Sequence, residues 1–216
     1  LSSAALAAGN GETHLTIIGT SDTHGNIWGY SYEDMKESTG DGLARVSAYV
    51  NQVRSENPNT ILVDAGDTIQ GTIMTDDLYS KDTASHPVAA ALNYMDYDAW
   101  TLGNHEFDYR ARGLAEMLNA AVDSGDPVPP IVQANYKPPA EDVDTWAAWN
   151  RYGIGDYLIL ERGGVRYGIF GLMGEEADSN APMSGMAFEP IADAAERTVA
   201  ALAEAEADFI ICLSHS

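Results

Sequence analysis

The chain holds a single cysteine, Cys212, among its 216 residues. That excludes an intrachain disulfide and any metal site built on a cluster of thiolates. Its setting in F-I-I-C-L predicts a small buried core residue. Basic residues are scarce as well: 11 Lys and Arg stand against 33 Asp and Glu, a formal net charge of −22. With no Lys/Arg cluster to neutralise a phosphate backbone, nucleic-acid binding is disfavoured. The same field repels a phosphorylated small molecule at long range, so a phosphate site here needs bound cations to invert the local potential. Most of the carboxylates read as a solvated surface. No apolar run reaches the roughly 20 residues of a membrane-spanning helix. No internal repeat or low-complexity linker divides the sequence. The opening L-S-S-A-A-L-A-A-G-N-G has the small residues of a signal-peptide tail without a charged n-region or a full apolar core. Residues 1–12 are therefore read as a disordered or signal-proximal tail, and the protein as extracytoplasmic: periplasmic, cell-surface or secreted.

What is present is an alternation of strand-like and helix-like runs over 13–216, enough chain for one domain with a real core. Asp41 is placed to cap a helix whose Leu43, Val46, Val50 and Val53 share a face, ended by Asn57-Pro58. A strand over 60–63 follows. A helix then starts at His86-Pro87, with Val88, Ala91, Leu92 and Met95 at helical spacing and proline in its favoured first position. Next come a strand at 99–102, a helix carrying Leu114, Met117, Leu118 and Val122, and a short strand at 131–134. Residues 137–155, rich in Pro and Trp, read as a loop. Two β-type runs, 156–162 and 165–172, flank Gly163-Gly164 as a hairpin with a two-residue turn. The alanine-rich stretch 190–207 is a helix with Ile191, Ala195, Thr198, Leu202 and Ala205 facing in, leading to a last strand at 208–213. The class is α/β, a largely parallel β-α-β core with some antiparallel pairing. His215-Ser216 falls just past the last strand, where a ligand-bearing loop would lead onward, so the sequence reads as a piece of a longer protein.

Metal-type side chains stand directly after these strand-like runs. H-L-T-I-I-G-T leads to Asp22 and His24, and T-I-L-V-D-A-G to Asp67. A-W-T-L-G leads to Asn104 and His105, and D-F-I-I-C-L-S to His215. In an open α/β sheet, ligands gather outside the carboxyl ends of the strands, so these segments point to one polynuclear metal site. A carboxylate and an imidazole two residues apart, Asp22 and His24, suit Zn, Mn, Fe or similar divalent ions. Asp67 follows a glycine that permits a sharp exit from its strand, and its two oxygens are enough to bridge two ions. Asn104 offers a neutral oxygen and His215 a nitrogen. Because Asn104 and His105 are adjacent, one can bind metal while the other faces substrate. Asp108 reaches His105 if the segment begins a helical turn, and would there orient the imidazole and raise its pKa. The plainer alternatives make Asp22 a cap, His24 a surface residue, Asn104 part of a Gly-Asn turn and Asp108 the N-cap of the next helix. His14 reads as a surface or edge residue and His86 as a helix cap. Trp146 and Trp149 read as packing under a loop rather than base-stacking platforms. Gln70 and Gly71 shape the Asp67 loop, with substrate contact by Gln70 left open, and Tyr30 and Tyr32 do not choose between substrates.

The order D-x-H, G-D, G-N-H-E, S-H resembles the calcineurin-like metallophosphoesterases. The strings T-S-D-T-H-G-N, V-D-A-G-D-T-I-Q-G and T-L-G-N-H-E-F-D-Y are similar to the 5′-nucleotidase and 2′,3′-cyclic-nucleotide phosphodiesterase branch, from Leu15 to the end. The resemblance implies a four-layer α/β/β/α sandwich, incomplete at its carboxyl end. It implies two divalent ions, one held by Asp22, His24 and Asp67, the other by Asp67, Asn104 and His215. His105 and Asp108 would be the catalytic pair, with Asn104 and His105 facing the substrate. The implied chemistry is two-metal, in-line hydrolysis of a nucleotide phosphate ester, His105 neutralising charge or protonating the leaving alkoxide. A cyclic phosphodiester or sugar phosphate is the alternative substrate, and an inactive metal-binding fragment the alternative to an enzyme. Family members also carry a G-H-x-H-type segment after S-H, adding a histidine to each metal, and a carboxyl-terminal domain that stacks the base. The resemblance puts both beyond Ser216.

Overall fold

The run T-I-L-V-D at Thr60–Asp64 is buried at every position, the pattern of a strand covered on both faces. The computed structural model, which describes residues 2–5, 14–31, 34–38, 40–78 and 86–216, puts it inside the larger sheet. Strands β1 (Ser2–Ala5), β2 (Thr16–Thr20), β3 (Tyr30–Ser31) and β4 (Lys36–Glu37) precede helix α1 (Leu43–Glu56). Strand β5 (Thr60–Asp64), helices α2 (Ile73–Leu78) and α3 (Pro87–Tyr94), and strand β6 (Ala99–Trp100) follow. A 3-10 turn at His105–Phe107 enters α4 (Arg110–Asp123), and β7 (Tyr136–Lys137) and α5 (Val143–Tyr152) come next. The chain closes with β8 (Tyr157–Arg162), β9 (Val165–Met173), α6 (Glu175–Asn180), β10 (Ala187–Phe188), α7 (Ile191–Glu204) and β11 (Phe209–His215).

The larger sheet has the order β1-β2-β5-β6, with β2, β5 and β6 parallel and β1 antiparallel to β2. The other main sheet is β11-β9-β8, β11 parallel to β9 and β8 antiparallel to it. Side-chain alternation sorts the apolar residues between them. Leu62 and Ile18 join α1, α3 and α4 in one core, through Leu43, Val50, Leu92, Leu114 and Leu118. Ile61 and Val63, on the opposite face of β5, meet Tyr167, Ile169, Ile211 and Leu213 of the second sheet. Phe170 and Leu172 turn the other way and pack under α7 with Ala194 and Leu202. The sheets are also tied by charge: Arg162 Nη2 donates to Asp98 Oδ1 at 2.7 Å, while Asp98 Oδ2 accepts from Leu62 N–H at 2.9 Å.

The α/β class, the parallel core and the hairpin hold. Gly163 and Gly164 both take positive φ, 62° and 77°, as a two-residue turn matched to strand twist requires. Several boundaries differ. Residues 137–155 are not a loop throughout, since α5 fills their centre. The Asp142 side chain caps it by accepting from Thr145 N–H at 3.1 Å, and left-handed Gly153 ends it. Residues 131–134 form only isolated bridges, Trp100 with Ile131 and Val132 with Gly155. Asp41 does not cap α1; Gly42 holds that position with no side-chain bond, and Asp41 instead accepts from Ser38 Oγ. Within the expected tail, Ser2–Ala5 pairs along the open edge of β2, while residue 1 and residues 6–13 lie outside the described residues. Cys212 is exposed rather than core, because strand alternation turns Ile211 and Leu213 inward and Cys212 outward. His86 does cap α3, its Nδ1 accepting from Val88 N–H at 3.3 Å, and His14 is exposed. Trp149 is buried in the main core and half-buried Trp146 donates to Pro139 O at 3.1 Å, both from α5.

Candidate metal centre

Parallel β2, β5 and β6 end on one edge of the larger sheet, and their following loops carry Asp22, His24, Asp67, Asn104 and His105. His215, the last residue of β11, reaches the same place from the other sheet. The loops are held in sparsely populated backbone conformations: Asp22, His24 and Asp67 have φ of 54°, 46° and 54°. Non-glycine residues with positive φ are strained, and such strain gathers at functional sites. Close approach sets the glycines. A Cβ on Gly66 would fall 2.5 Å from Gly103 N, and one on Gly103 would fall 2.6 Å from Asp67 N.

Donor atoms of Asp22, His24 and Asp67 all lie within 4.8 Å of one another. His24 Nδ1 donates to Gln70 O at 3.2 Å, which leaves Nε2 facing Asp22 Oδ1 at 4.0 Å. A second convergence shares Asp67: His215 Nε2 sits 3.2 Å from Asp67 Oδ2 and 3.1 Å from Asn104 Oδ1. His215 Nδ1 donates to Ala65 O at 2.9 Å. In both histidines a backbone carbonyl fixes the tautomer and frees Nε2, the arrangement that orients an imidazole as a ligand. The donor set of carboxylate, imidazole and amide oxygens fits divalent ions such as Zn, Mn or Fe.

Electrostatics agree. Burial alone pushes the Asp67 carboxyl up, but bonds from His215 and from His105 N–H, with both imidazole charges, hold it below the ordinary value. His215 is raised: burial opposes the charge, and the bond to Asp67 outweighs it. His215 Nε2, Asp67 Oδ2 and Asn104 Oδ1 thus converge on one point, the place a cation would take.

The 3-10 turn brings Asp108 under His105, with Nδ1 to Oδ2 at 2.9 Å. Burial disfavours the imidazolium, yet the Asp108 bond and charge raise the His105 pKa overall. Asp108 is not the helix cap; Tyr109 holds that position in α4. The His105 ring stands edge-on to His24, centroids 5.1 Å apart, and His105 N–H donates to Asp67 Oδ1 at 2.8 Å. All seven expected site residues, Asp22, His24, Asp67, Asn104, His105, Asp108 and His215, therefore meet in one cluster.

Two buried carboxylates in the same motifs escape a reading of the sequence. Asp64 accepts from Thr20 Oγ1 at 2.6 Å, from Gly66 N–H at 2.9 Å and from Thr68 Oγ1, pinning the end of β2 to the Asp67 loop. Burial pushes its pKa up to about 7. Glu106 accepts from four backbone N–H groups of the Asp67 and Gly103 loops. Their only sequence signal is position: an acid closing a strand, and an acid three residues past a glycine. Gln70 is buried and its Oε1 has no partner among the described residues, while Tyr32 lies outside them.

Residues 15–216 match the calcineurin-like phosphoesterase family.

The chain belongs to that family.

Calcineurin-like phosphoesterases bind divalent metals and hydrolyse phosphoric esters. Over 95% of its length the chain is 34% identical to the trifunctional nucleotide phosphoesterase protein YfkN of Bacillus subtilis. The crystal structure of that calcineurin-like phosphoesterase superposes with a TM-score of 0.74 at 32% identity, covering 94% of this chain and 62% of the solved one. Over 94% of its length the chain is 31% identical to a 2′,3′-cyclic-nucleotide 2′-phosphodiesterase/3′-nucleotidase of Salmonella typhimurium. It is 31% identical, again over 94%, to a 5′-nucleotidase of Rattus norvegicus. This calcineurin-like phosphoesterase chain spans 14% of the Bacillus relative, 31% of the Salmonella one and 34% of the rat one. Among the described residues no helix is long and apolar enough to cross a membrane.

Proposed function

We propose that this chain carries the two-metal centre of a 5′-nucleotidase-type hydrolase acting on nucleotide phosphate esters. The observation that carries this is the pair of donor sets meeting on Asp67, one with Asp22 and His24, the other with Asn104 and His215. In this reading Asp67, with Asp22 and His24 on one side and Asn104 and His215 on the other, would hold two divalent ions. Bound there, the ions supply charge that polarises phosphoryl oxygens and lowers the pKa of an attacking water. The protein residues do the rest. His105, tethered through Nδ1 to Asp108, presents Nε2 as a proton donor to the leaving oxygen, and its raised pKa keeps that proton available near neutrality. Asn104 and His105 face the substrate. A cleft of about 310 Å³ beside Asp22, lined by Ser21, Thr23, Asn26 and Arg45 among others, leaves room for the organic part of an ester. A further domain of the longer protein would hold the base, in line with the greater length of the relatives, and an extracytoplasmic location belongs to the same reading.

Metal analysis and phosphate release from AMP test this, with Asp67→Asn beside the wild type. Two ions per chain and release abolished by the substitution are expected. A protein loaded with Mn or Zn that frees phosphate from no nucleotide would sink the proposal. The Salmonella relative's name favours a second substrate, a 2′,3′-cyclic nucleotide; preferential opening of 2′,3′-cyclic AMP would move the assignment there. Metal uptake without turnover on either would mark an inactive metal-binding chain.

A further inference from the structure

Glu106 is fully buried in a turn whose neighbours, Asn104 and His105, face the centre. Its Oε2 accepts from Asp67 N–H at 2.9 Å and Gly103 N–H at 2.6 Å; its Oε1 accepts from Thr68 N–H at 2.8 Å and Ile69 N–H at 3.0 Å. One of these is local, running back three residues to Gly103 within the same turn. The other three run to a loop 37 to 39 residues earlier in the chain. Packing does not explain the residue either. Burying a carboxylate is unfavourable unless its oxygens are satisfied, and an apolar side chain would fill the same space without that requirement.

What the bonds accomplish is alignment. Three successive N–H groups drawn to one carboxylate curl the loop at Asp67, where φ is 54°. The same carboxylate holds Gly103 N–H, so the curl is fixed against the turn that carries Asn104 and His105. Asp67 then lies across Gly103 and takes the His105 N–H. We propose that Glu106 is a positioning residue that locks the Asp67 loop onto the Gly103–His105 turn and thereby sets the affinity of the centre for divalent ions. It touches neither ion nor substrate. The proposal rests on the metal-centre assignment above.

Mn²⁺ titration of chelator-stripped protein, followed by EPR, tests it in Glu106→Gln. The amide presents N–H groups to backbone N–H groups and cannot hold both loops. A tenfold to hundredfold weaker Mn²⁺ affinity is expected, about the usual effect of losing an outer partner of a metal ligand. Phe107→Leu, a core change in the same turn, is the control: thermal stability falls while Mn²⁺ affinity stays at the wild-type value. Wild-type affinity in Glu106→Gln overturns the proposal, as does an affinity loss in both variants in proportion to lost stability. Should Glu106→Gln fail to fold, Glu106→Asp decides, since it keeps the charge and withdraws the oxygens by one methylene; weakened binding supports the proposal and unchanged binding overturns it. Wild-type protein that takes up no Mn²⁺ would overturn the metal-centre assignment and this proposal with it.

Discussion

Gly103→Ala adds one methyl group at the tightest point of the centre. The new Cβ would fall against Asp67 Oδ1, 2.6 Å from Asp67 N and 2.9 Å from Asp67 Cγ, where ordinary contact begins near 3.4 Å. The two loops must therefore part by roughly 0.8 Å at the Asp67 nitrogen. Backbone φ at 103 is outside the left-handed region, so alanine brings no conformational strain and the effect is steric. Overpacking of this kind costs about 1–3 kcal/mol, equivalent to roughly 2–12 °C in Tm for a chain of this size. The functional loss exceeds the stability loss, because Asp67 is shared by both donor sets and a displacement near 1 Å can lower turnover about a hundredfold. Differential scanning fluorimetry of metal-free protein, Mn²⁺ titration and phosphate release would be compared on the same samples. Wild-type metal affinity together with wild-type Tm would refute the close approach of the loops on which the centre depends.

Asp108→Asn removes the group that raises the His105 pKa, so the alkaline limb of the pH–rate profile should move to lower pH; an unmoved limb would detach Asp108 from the chemistry. In metal-free protein the His215–Asp67 contact stabilises through a raised imidazole pKa. That stability is fully present below the unfolded value near 6.5 and is lost as pH rises through the folded one. The Tm difference between wild type and His215→Gln should therefore shrink on raising the pH above about 6.5, and a difference that grows would contradict the assignment. Arg162→Met strands Asp98, whose side chain is only 8% exposed, and is expected to cost about 3 kcal/mol by denaturant titration while leaving Mn²⁺ affinity unchanged.

The candidate set is legible in the sequence because its members follow a strand or, for His215, close one, and parallel strands deliver such residues to one edge. Strand identity at 60–64 comes from an unbroken apolar run, and the hairpin from two adjacent glycines. Helix α5 is harder to see although its start and stop signals, Asp142 and Gly153, are present; Pro138, Pro139 and two tryptophans suggest irregularity instead. The short strand expected at 131–134 fails because β propensity cannot tell a ladder from a pair of bridges. Cys212 is misplaced since a local apolar run does not say which of two faces a second layer covers. Glu106 and Asp64 are the least legible. Their partners are backbone N–H groups and hydroxyls, several of them far along the chain, and no residue pattern announces an acceptor for main-chain donors.

His215 is held in place by Ala65, 150 residues away in sequence, and meets Asn104 across 111. Such separations make closure slow relative to local pairing. Asp22, His24 and Asp67 stand on loops after the neighbouring strands β2 and β5, whereas bringing His215 to Asn104 also requires β11 to pair with β9 in the second sheet. The two donor sets on Asp67 are thus unequal: only the one with Asn104 and His215 requires the two sheets to be held together.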